Sequence, residues 1–127
     1  MVDVTPLIKQ GSQIIQGYGD GGFRVSQVAY EGAVIVTAQE TIAWSPAHTN
    51  LKEMQESDFA PLIDRAQDID VVLLGCGEKI AFMPAPLKQE LRAHGLVIEV
   101  MDSGAACRTY NVLMAEGRRV AAALLPF

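Results

Sequence analysis

The sequence predicts one α/β domain over residues 1–127, and three features of the chain indicate this fold class. Its 127 residues match the usual size of a single domain. Half of the residues are hydrophobic and only 20% are charged, so the chain can bury a core. Short alternating runs separated by glycines precede residue 57, whereas helical and strand patterns alternate after it. An N-terminal β meander followed by helices packed on a sheet is therefore expected.

The meander is predicted to contain four strands. Their patterns cover residues 12–18, 23–28, 33–37 and 41–44. Gly19-Asp20-Gly21-Gly22 predicts the first turn and Glu31-Gly32 predicts a second hairpin turn. The four-residue stretch is not expected to be a phosphate loop, because it joins two strands and no Lys-Ser or Lys-Thr pair follows it.

The first helix is predicted to begin at Ser57, which can cap it. One apolar helical face follows, formed by Phe59, Leu62, Ile63 and Ala66. A continuous apolar run over 69–74 then predicts a strand that is buried on both faces.

A second helix is predicted near Pro86, with Leu87 and Leu91 on its inner face and Gly95 as its stop. It leads into a strand over 96–101.

The third helix is expected to be capped by Asp102 or Ser103 and to run to about residue 114. A turn at Glu116-Gly117 separates it from a last strand over 119–125.

A strand, helix, strand unit of this length predicts parallel pairing through a right-handed crossover. Residues 71–74 and 97–100 are therefore expected to be adjacent parallel strands buried between layers. The pattern leaves the direction of the last strand open. The expected core positions include Trp44, Phe59, Leu62, Leu73 and Leu113.

Gly75-Cys76-Gly77 follows a buried strand, as the start of a dinucleotide-binding loop does. The full pattern needs a third glycine and a helix that begins at once. Residues 78–82 and two prolines intervene here. The glycines are therefore interpreted as a tight turn or a close backbone approach, and neither NAD nor ATP is expected to bind.

Asp102-Ser103-Gly104-Ala105-Ala106 follows a strand and opens a helix, so its free N–H groups could hold an anion. Simple capping by Asp102 or Ser103 is the alternative. Because ligands bind at the carboxyl ends of parallel strands, this stretch and Gly75-Cys76-Gly77 together predict a crevice. Weak anion binding is expected there, stronger in Asp102→Asn and weaker in Arg108→Ala.

The candidate pocket is a set of residues expected at this edge of the sheet: Gly75, Cys76, Gly77, Asp102, Ser103, Gly104, Cys107, Arg108, Tyr110 and Asn111. Tyr110 and Asn111 could face the crevice or satisfy nearby backbone. Cys107 in the first helical turn could have a lowered thiol pKa, and with Cys76 it could form a reversible disulfide. Two inert cysteines are the alternative.

Other chemistry has little support in the sequence. His48 and His94 are isolated and the two cysteines lie far apart, so no metal site is expected. No nucleophile is paired with a histidine in a known catalytic motif. We therefore predict no catalytic residues and no cofactor.

The charge and hydropathy of the chain exclude further classes of protein. A net charge of −5 and a pI near 4.9 argue against nucleic-acid binding. No apolar stretch reaches the roughly 20 residues that cross a bilayer, and residues 1–10 do not resemble a signal peptide. A cytoplasmic location is expected.

Several motifs in order resemble one small family. They are YGDGGFRVS (18–26), the AWSP region, LLGCG (73–77) and MDSGAACRTYN (101–111), followed by Glu116-Gly117-Arg118 and the run 120–124. The resemblance is to the Mth938-domain proteins, which include a mitochondrial respiratory complex I assembly factor, and it covers nearly the whole chain.

The resemblance implies a three-layer Mth938-like fold, with a central mixed sheet and a second β layer from the N-terminal meander. It also implies that the last strand runs antiparallel to its neighbours. A non-enzymatic role in protein interaction or complex assembly is expected, with membrane-complex subunits or another assembly factor as partners. Such a protein could reach the inner membrane through its partner, and the start of the chain favours a bacterial member. No catalytic residues carry over, and the oligomeric state is left open. A small-anion or metabolite-binding protein, or an unrecognised enzyme, is the alternative.

Overall fold

The computed structural model describes residues 12–126, which form two sheets and three helices. The strands are β1 (Ile15–Gly19), β2 (Gly22–Val25), β3 (Val28–Glu31), β4 (Val34–Thr37), β5 (Thr41–Ala43), β6 (Val71–Cys76), β7 (Ile98–Met101) and β8 (Val120–Leu125). The helices are α1 (Ala60–Ile63), α2 (Ala85–Ala93) and α3 (Ser103–Ala115). Short 3₁₀ turns at Glu56–Phe59 and Ala66–Asp68 flank α1.

The architecture has three layers, as expected. The central layer is a mixed five-stranded sheet in the order β5-β4-β8-β6-β7. One of its faces packs against α3 and the antiparallel sheet β1-β2-β3, and the other packs against α1, α2 and the segment before α1. Buried side chains on both faces of the central sheet form two hydrophobic clusters.

The central strands follow the predicted topology. β6 and β7 are adjacent and parallel, in the register Val72 to Ile98 and Leu74 to Val100. β6 is buried on both faces. β7 is an edge strand in which Glu99 is exposed, and Val97 just before it is also exposed. The expectation that both strands are buried between layers is therefore correct only for β6.

The last strand was expected to run antiparallel to both of its neighbours, and this is wrong for one of them. β8 pairs antiparallel with β4 but parallel with β6. The reason is that α3 acts as a second crossover, which carries the chain from β7 back past β6. Because α2 and α3 pack on opposite faces of the central sheet, the loops after β6 and β7 lead away in opposite directions.

The meander departs from its prediction at one turn. Residues 23–28 form two strands, because Ser26 and Gln27 make a tight turn with φ values of 44° and 74°. Two positive φ values suit the right-handed twist of a hairpin. The Ser26 N–H donates to the carbonyl O of Ile14 at 2.9 Å, and the Gln27 N–H donates to Oε1 of Gln16 at 2.7 Å. These bonds stabilise the turn without glycine.

Glu31-Gly32 is not a hairpin turn. It connects β3 to β4, and these strands belong to different sheets. Gly32 has φ +79° and its N–H donates to the carbonyl O of Gly21 at 2.9 Å. Residues 33–37 and 41–44 therefore supply the central sheet and not the meander layer.

The first predicted helix is broken into two 3₁₀ turns and the single turn α1. Ser57 does not cap it, since the N-cap is Gln55, whose N–H donates to the Asp58 carboxylate at 2.8 Å in a capping box. The second and third helices agree with prediction. Leu87 and Leu91 are buried, Gly95 follows α2 with φ +89°, and Asp102 caps α3.

Trp44, Phe59, Leu62 and Leu73 are core residues, as expected. Leu113 is only half-buried, because the third helix turns Tyr110 and Met114 towards the sheet instead.

Candidate functional site

Gly75, Gly77 and Ser103, which were predicted to line a crevice, are buried at the carboxyl ends of β6 and β7. Gly75 to Gly77 and the start of α3 are side by side there, as the sequence predicts. The Ser103 N–H donates to the carbonyl O of Gly77 at 2.8 Å, and the Gly77 N–H donates to Oγ of Ser103 at 2.9 Å. Two reciprocal hydrogen bonds therefore join the end of β6 to the first turn of α3.

Ser103 occupies the centre of this arrangement. Its side chain is fully buried, and its Oγ donates to the carbonyl O of Leu125 at 2.6 Å. One hydroxyl thus links the ends of β6 and β8 to α3. A buried hydroxyl with both roles satisfied stabilises the fold. Ser103 is therefore the polar anchor of the crevice.

Gly75 and Gly77 are required for different structural reasons. A Cβ on Gly75 would lie 2.8 Å from Cα of Ser103, so only glycine lets α3 approach the strand this closely. Gly77 has φ +93°, a conformation that side chains other than glycine rarely adopt. Of the two interpretations, close backbone approach therefore applies to Gly75 and a turn applies to Gly77.

The first turn of α3 is covered on its outer side. The Asp102 carboxylate accepts the Ala105 N–H at 2.8 Å, which is an N-cap bond. Arg108 donates from its guanidinium to the Tyr18 hydroxyl at 2.8 Å. A Cβ on Gly104 would lie 2.9 Å from that same hydroxyl, so β1 approaches the helix here. An added anion would compete with the Asp102 carboxylate for the N–H groups of this turn. Anion binding stays a prediction.

Tyr18 is a residue of this site that the sequence interpretation did not include. It is the penultimate residue of β1 and is 43% exposed, yet it contacts the first turn of α3. The signal was present in the YGDGGF stretch, but a strand tyrosine is ordinarily assigned to packing. Only the topology brings it to Arg108.

Tyr110 and Asn111 satisfy backbone groups and do not open onto the crevice. Burial raises the pKa of Tyr110, whose hydroxyl donates to the carbonyl O of Gln13 at 2.8 Å. Asn111 accepts the Ile15 N–H at 3.0 Å and donates to the Ile15 carbonyl O at 2.7 Å. It therefore pairs with β1 as a neighbouring strand would. These two side chains attach the meander layer to α3.

The two cysteines lie on opposite faces of the central sheet. Cys76 packs with the cluster on the α2 face, whereas Cys107 is buried in the cluster on the α3 face. Both thiols are free, and burial raises the pKa of Cys107 to about 12. The lowered pKa that the sequence left possible is contradicted, because desolvation outweighs the effect of the nearby Arg108, and the alternative of a buried cysteine holds for Cys107. This placement disfavours a disulfide between the two residues.

We expect Cys76 to react with an aromatic disulfide reagent in the folded protein and Cys107 to react only after unfolding. Cys76 is only half-buried, whereas Cys107 is buried and its pKa is raised to about 12, so the reagent can reach only Cys76 in the folded protein. One thiol should therefore be titrated in buffer and two in denaturant. The Cys76→Ser variant should show none in buffer, and rapid labelling of this variant would contradict the buried position of Cys107.

Among residues 12–126, the most exposed large apolar side chains lie in the loop from Gly77 to Pro84, termed here the β6–α2 loop. Phe82 is 84% exposed and Ile80 is 62% exposed. Sequence interpretation treated this loop only as an interruption of a dinucleotide motif. Ile80 and Phe82 lie between Lys79 and Pro84 in the sequence, and this apolar pair was the signal that could have indicated an exposed loop.

The described residues contain no cluster of three or more histidine, cysteine or acidic side chains that could hold a metal ion. Among residues 12–126, no helix has the length and apolar character needed to cross a membrane.

Comparison with known proteins places these features in a family. A family described as protein of unknown function (DUF498/DUF598) matches residues 15–125. An uncharacterized protein of Rhodobacter capsulatus is 39% identical over 116 residues, which cover 91% of this chain and 86% of that protein.

Two further similar proteins have a named role or fold. The NADH dehydrogenase [ubiquinone] 1 alpha subcomplex assembly factor 3 of Rattus norvegicus is 31% identical over 113 residues. That match covers 88% of this chain but only 60% of the assembly factor. A Bordetella pertussis protein described as a Mth938-like domain superposes with a TM-score of 0.76 at 28% identity, covering 93% of this chain and 88% of that one.

Proposed function

We propose that this chain, which belongs to the DUF498/DUF598 family of Mth938-like proteins, is a non-enzymatic protein-interaction factor. Its role is to assist assembly of a respiratory complex. Its similarity to the rat complex I assembly factor supports this role. The partners would be subunits of a membrane complex or another assembly factor. In this role the protein is cytoplasmic and meets the membrane through its partner.

The observation that carries the proposal is the exposed apolar tip of the β6–α2 loop. Ala81 and Met83 pack against the core, so the alternate residues Ile80 and Phe82 point outwards. The Ala81 N–H also donates to Sγ of Cys76 at 3.2 Å, which attaches the middle of the loop to the sheet. The tip is therefore presented by an anchored loop.

Such a tip has the properties of an interface anchor. Aromatic residues dominate the binding energy of many interfaces, and little ordering is required when the loop is already anchored. Burial of Ile80 and Phe82 against a partner would contribute about 3–6 kcal/mol. An exposed pair of this kind fits binding to a protein surface better than it fits catalysis in water.

Affinity capture tests the proposal. The tagged protein is expressed in its own cells and compared with Ile80→Ser/Phe82→Ser, a double variant that changes only exposed side chains. We expect subunits of a membrane complex or an assembly factor with the parent protein, and at least a tenfold lower yield with the variant. Val112→Ser is the matched control, because Val112 is 58% exposed on α3.

Two outcomes would contradict parts of the proposal. Equal recovery with the double variant would show that the β6–α2 loop is not the interface. If no such protein is enriched over an untagged control, the assembly role is wrong.

A further inference from the structure

A groove lies on the face of the molecule that carries α2. One wall is formed by residues 52–64 and the other by Pro84 together with α2. Its floor consists of apolar side chains, of which Met54 and Leu87 are buried and Ile63 is half-buried. Its volume is about 780 Å³, which is within the range of sites that bind ligands.

The groove runs along α2. Pro84, Leu87 and His94 line it, and the ten residue steps from Pro84 to His94 correspond to about 15 Å. His94 pairs with the Glu56 carboxylate of the opposite wall, which joins the two walls. The other end, at Pro84, continues into the β6–α2 loop with its exposed Phe82. The groove is therefore continuous with the proposed interface.

The charges around the groove are mainly negative. Glu56, Asp64 and Glu90 line it, against one lysine, Lys52. Within residues 12–126, no ion pair engages the carboxylates of Asp64 and Glu90, and both residues are exposed. Two unpaired carboxylates beside an apolar floor complement a segment that carries both basic and apolar side chains.

We infer that this acidic groove binds a basic peptide segment of a partner protein, with its apolar side chains on the floor and its Lys or Arg side chains at Asp64 and Glu90. The inference rests on the proposed function, since it specifies how a partner is held. A length of about 15 Å accommodates four or five residues in extended conformation. The exposed tip at Phe82 would contact the same partner where the segment leaves the groove.

Fluorescence anisotropy with a defined probe tests the groove. The probe is a labelled ten-residue peptide of alternating lysine and leucine, and its counterpart carries glutamate in place of lysine. We expect the lysine peptide alone to bind, with an affinity that falls as salt is raised. Asp64→Asn/Glu90→Gln should weaken binding about tenfold, because each exposed pair contributes modestly.

Two further variants separate charge from location. Ala60→Arg places a long cationic side chain at an exposed position in the wall, and it should abolish binding. Glu31→Gln/Glu99→Gln removes two exposed carboxylates away from the groove and should leave affinity within twofold. Circular dichroism confirms that each variant is folded.

Several results would overturn the inference. They are absence of binding, equal binding of the glutamate peptide, and an equal loss in the Glu31/Glu99 control. Spermidine binding as tightly as the peptide would assign the groove to a small cation instead. Capture of a partner that is unaffected by Ala60→Arg would reject the groove but retain the proposed function. Peptide binding without any captured partner would retain the groove but reject the proposed function.

Discussion

Leu73→Ala is expected to lower the free energy of unfolding by about 2–5 kcal/mol, through lost burial and the cavity that remains. Leu73 is 2% exposed in the central strand β6, on the face that packs against α3. Its cluster includes Ala106 of the helix and Ala122 of β8, its pairing partner. These small neighbours have no side-chain atoms beyond Cβ that could move into the space, so the cost should fall in the upper part of this range.

Urea unfolding followed by circular dichroism measures this effect as a lower midpoint at an unchanged slope. Val112→Ala is the control, because this side chain is 58% exposed and its truncation should change stability by less than about 0.5 kcal/mol. An unchanged midpoint for Leu73→Ala would mean that β6 does not form the centre of the sheet.

The central sheet could be predicted from the sequence because its signals are local and strong. The apolar run before Gly75 is typical of a strand buried on both faces, and β6 is such a strand. Gly95 and Asp102 end and begin helices through backbone conformation and capping, which depend on few neighbours. The parallel pairing of β6 with β7 then follows from the helix between them.

The features that were missed depend on distant contacts. The turn at Ser26 and Gln27 has positive φ values without glycine, and side-chain bonds from elsewhere in the meander stabilise it. The break in the first predicted helix follows from the bonds of Asp58 to residues before the helix. Helical periodicity contains no information about either contact.

The candidate site shows the same division. Its location follows from topology, since the carboxyl ends of β6 and β7 meet at one edge. The hydrogen bonds of the site do not follow from topology. The sequence cannot show that Ser103 donates to the Leu125 carbonyl O or that Asn111 pairs with Ile15. The exposure of Phe82 depends on the inward packing of Ala81 and Met83, which also appears only in the folded chain.

Asp58→Ala is expected to lower the free energy of unfolding by about 2–4 kcal/mol at neutral pH, because it removes the acceptor for several donors. Asp58 is 4% exposed, and its carboxylate accepts the Ala47 N–H at 2.7 Å and the Gln55 N–H at 2.8 Å. The imidazole of His48 lies 3.0 Å from the same group. Asp58→Asn should cost less, since one oxygen remains an acceptor.

The pH dependence identifies the carboxylate as the cause. Burial by itself would raise the pKa of Asp58, but the Gln55 N–H, His48 and the Ala47 N–H together hold this pKa below its ordinary value of 3.8. A lowered pKa in the folded state contributes stability that is fully present above pH 3.8 and is lost as the pH falls through the folded pKa. The stability difference between the parent and Asp58→Asn should therefore be present at pH 7 and shrink as the pH falls below about 4.

Urea midpoints measured across this range test the assignment. Asp70→Asn is the control, because Asp70 pairs with Arg119 at the surface, where both side chains are more than half exposed. Exposed pairs contribute little to stability, so this variant should resemble the parent at neutral pH. If Asp58→Asn matched the parent at pH 7, the buried carboxylate would not stabilise the segment between β5 and α1. That segment forms one wall of the acidic groove, so loss of Asp58 should also weaken peptide binding there.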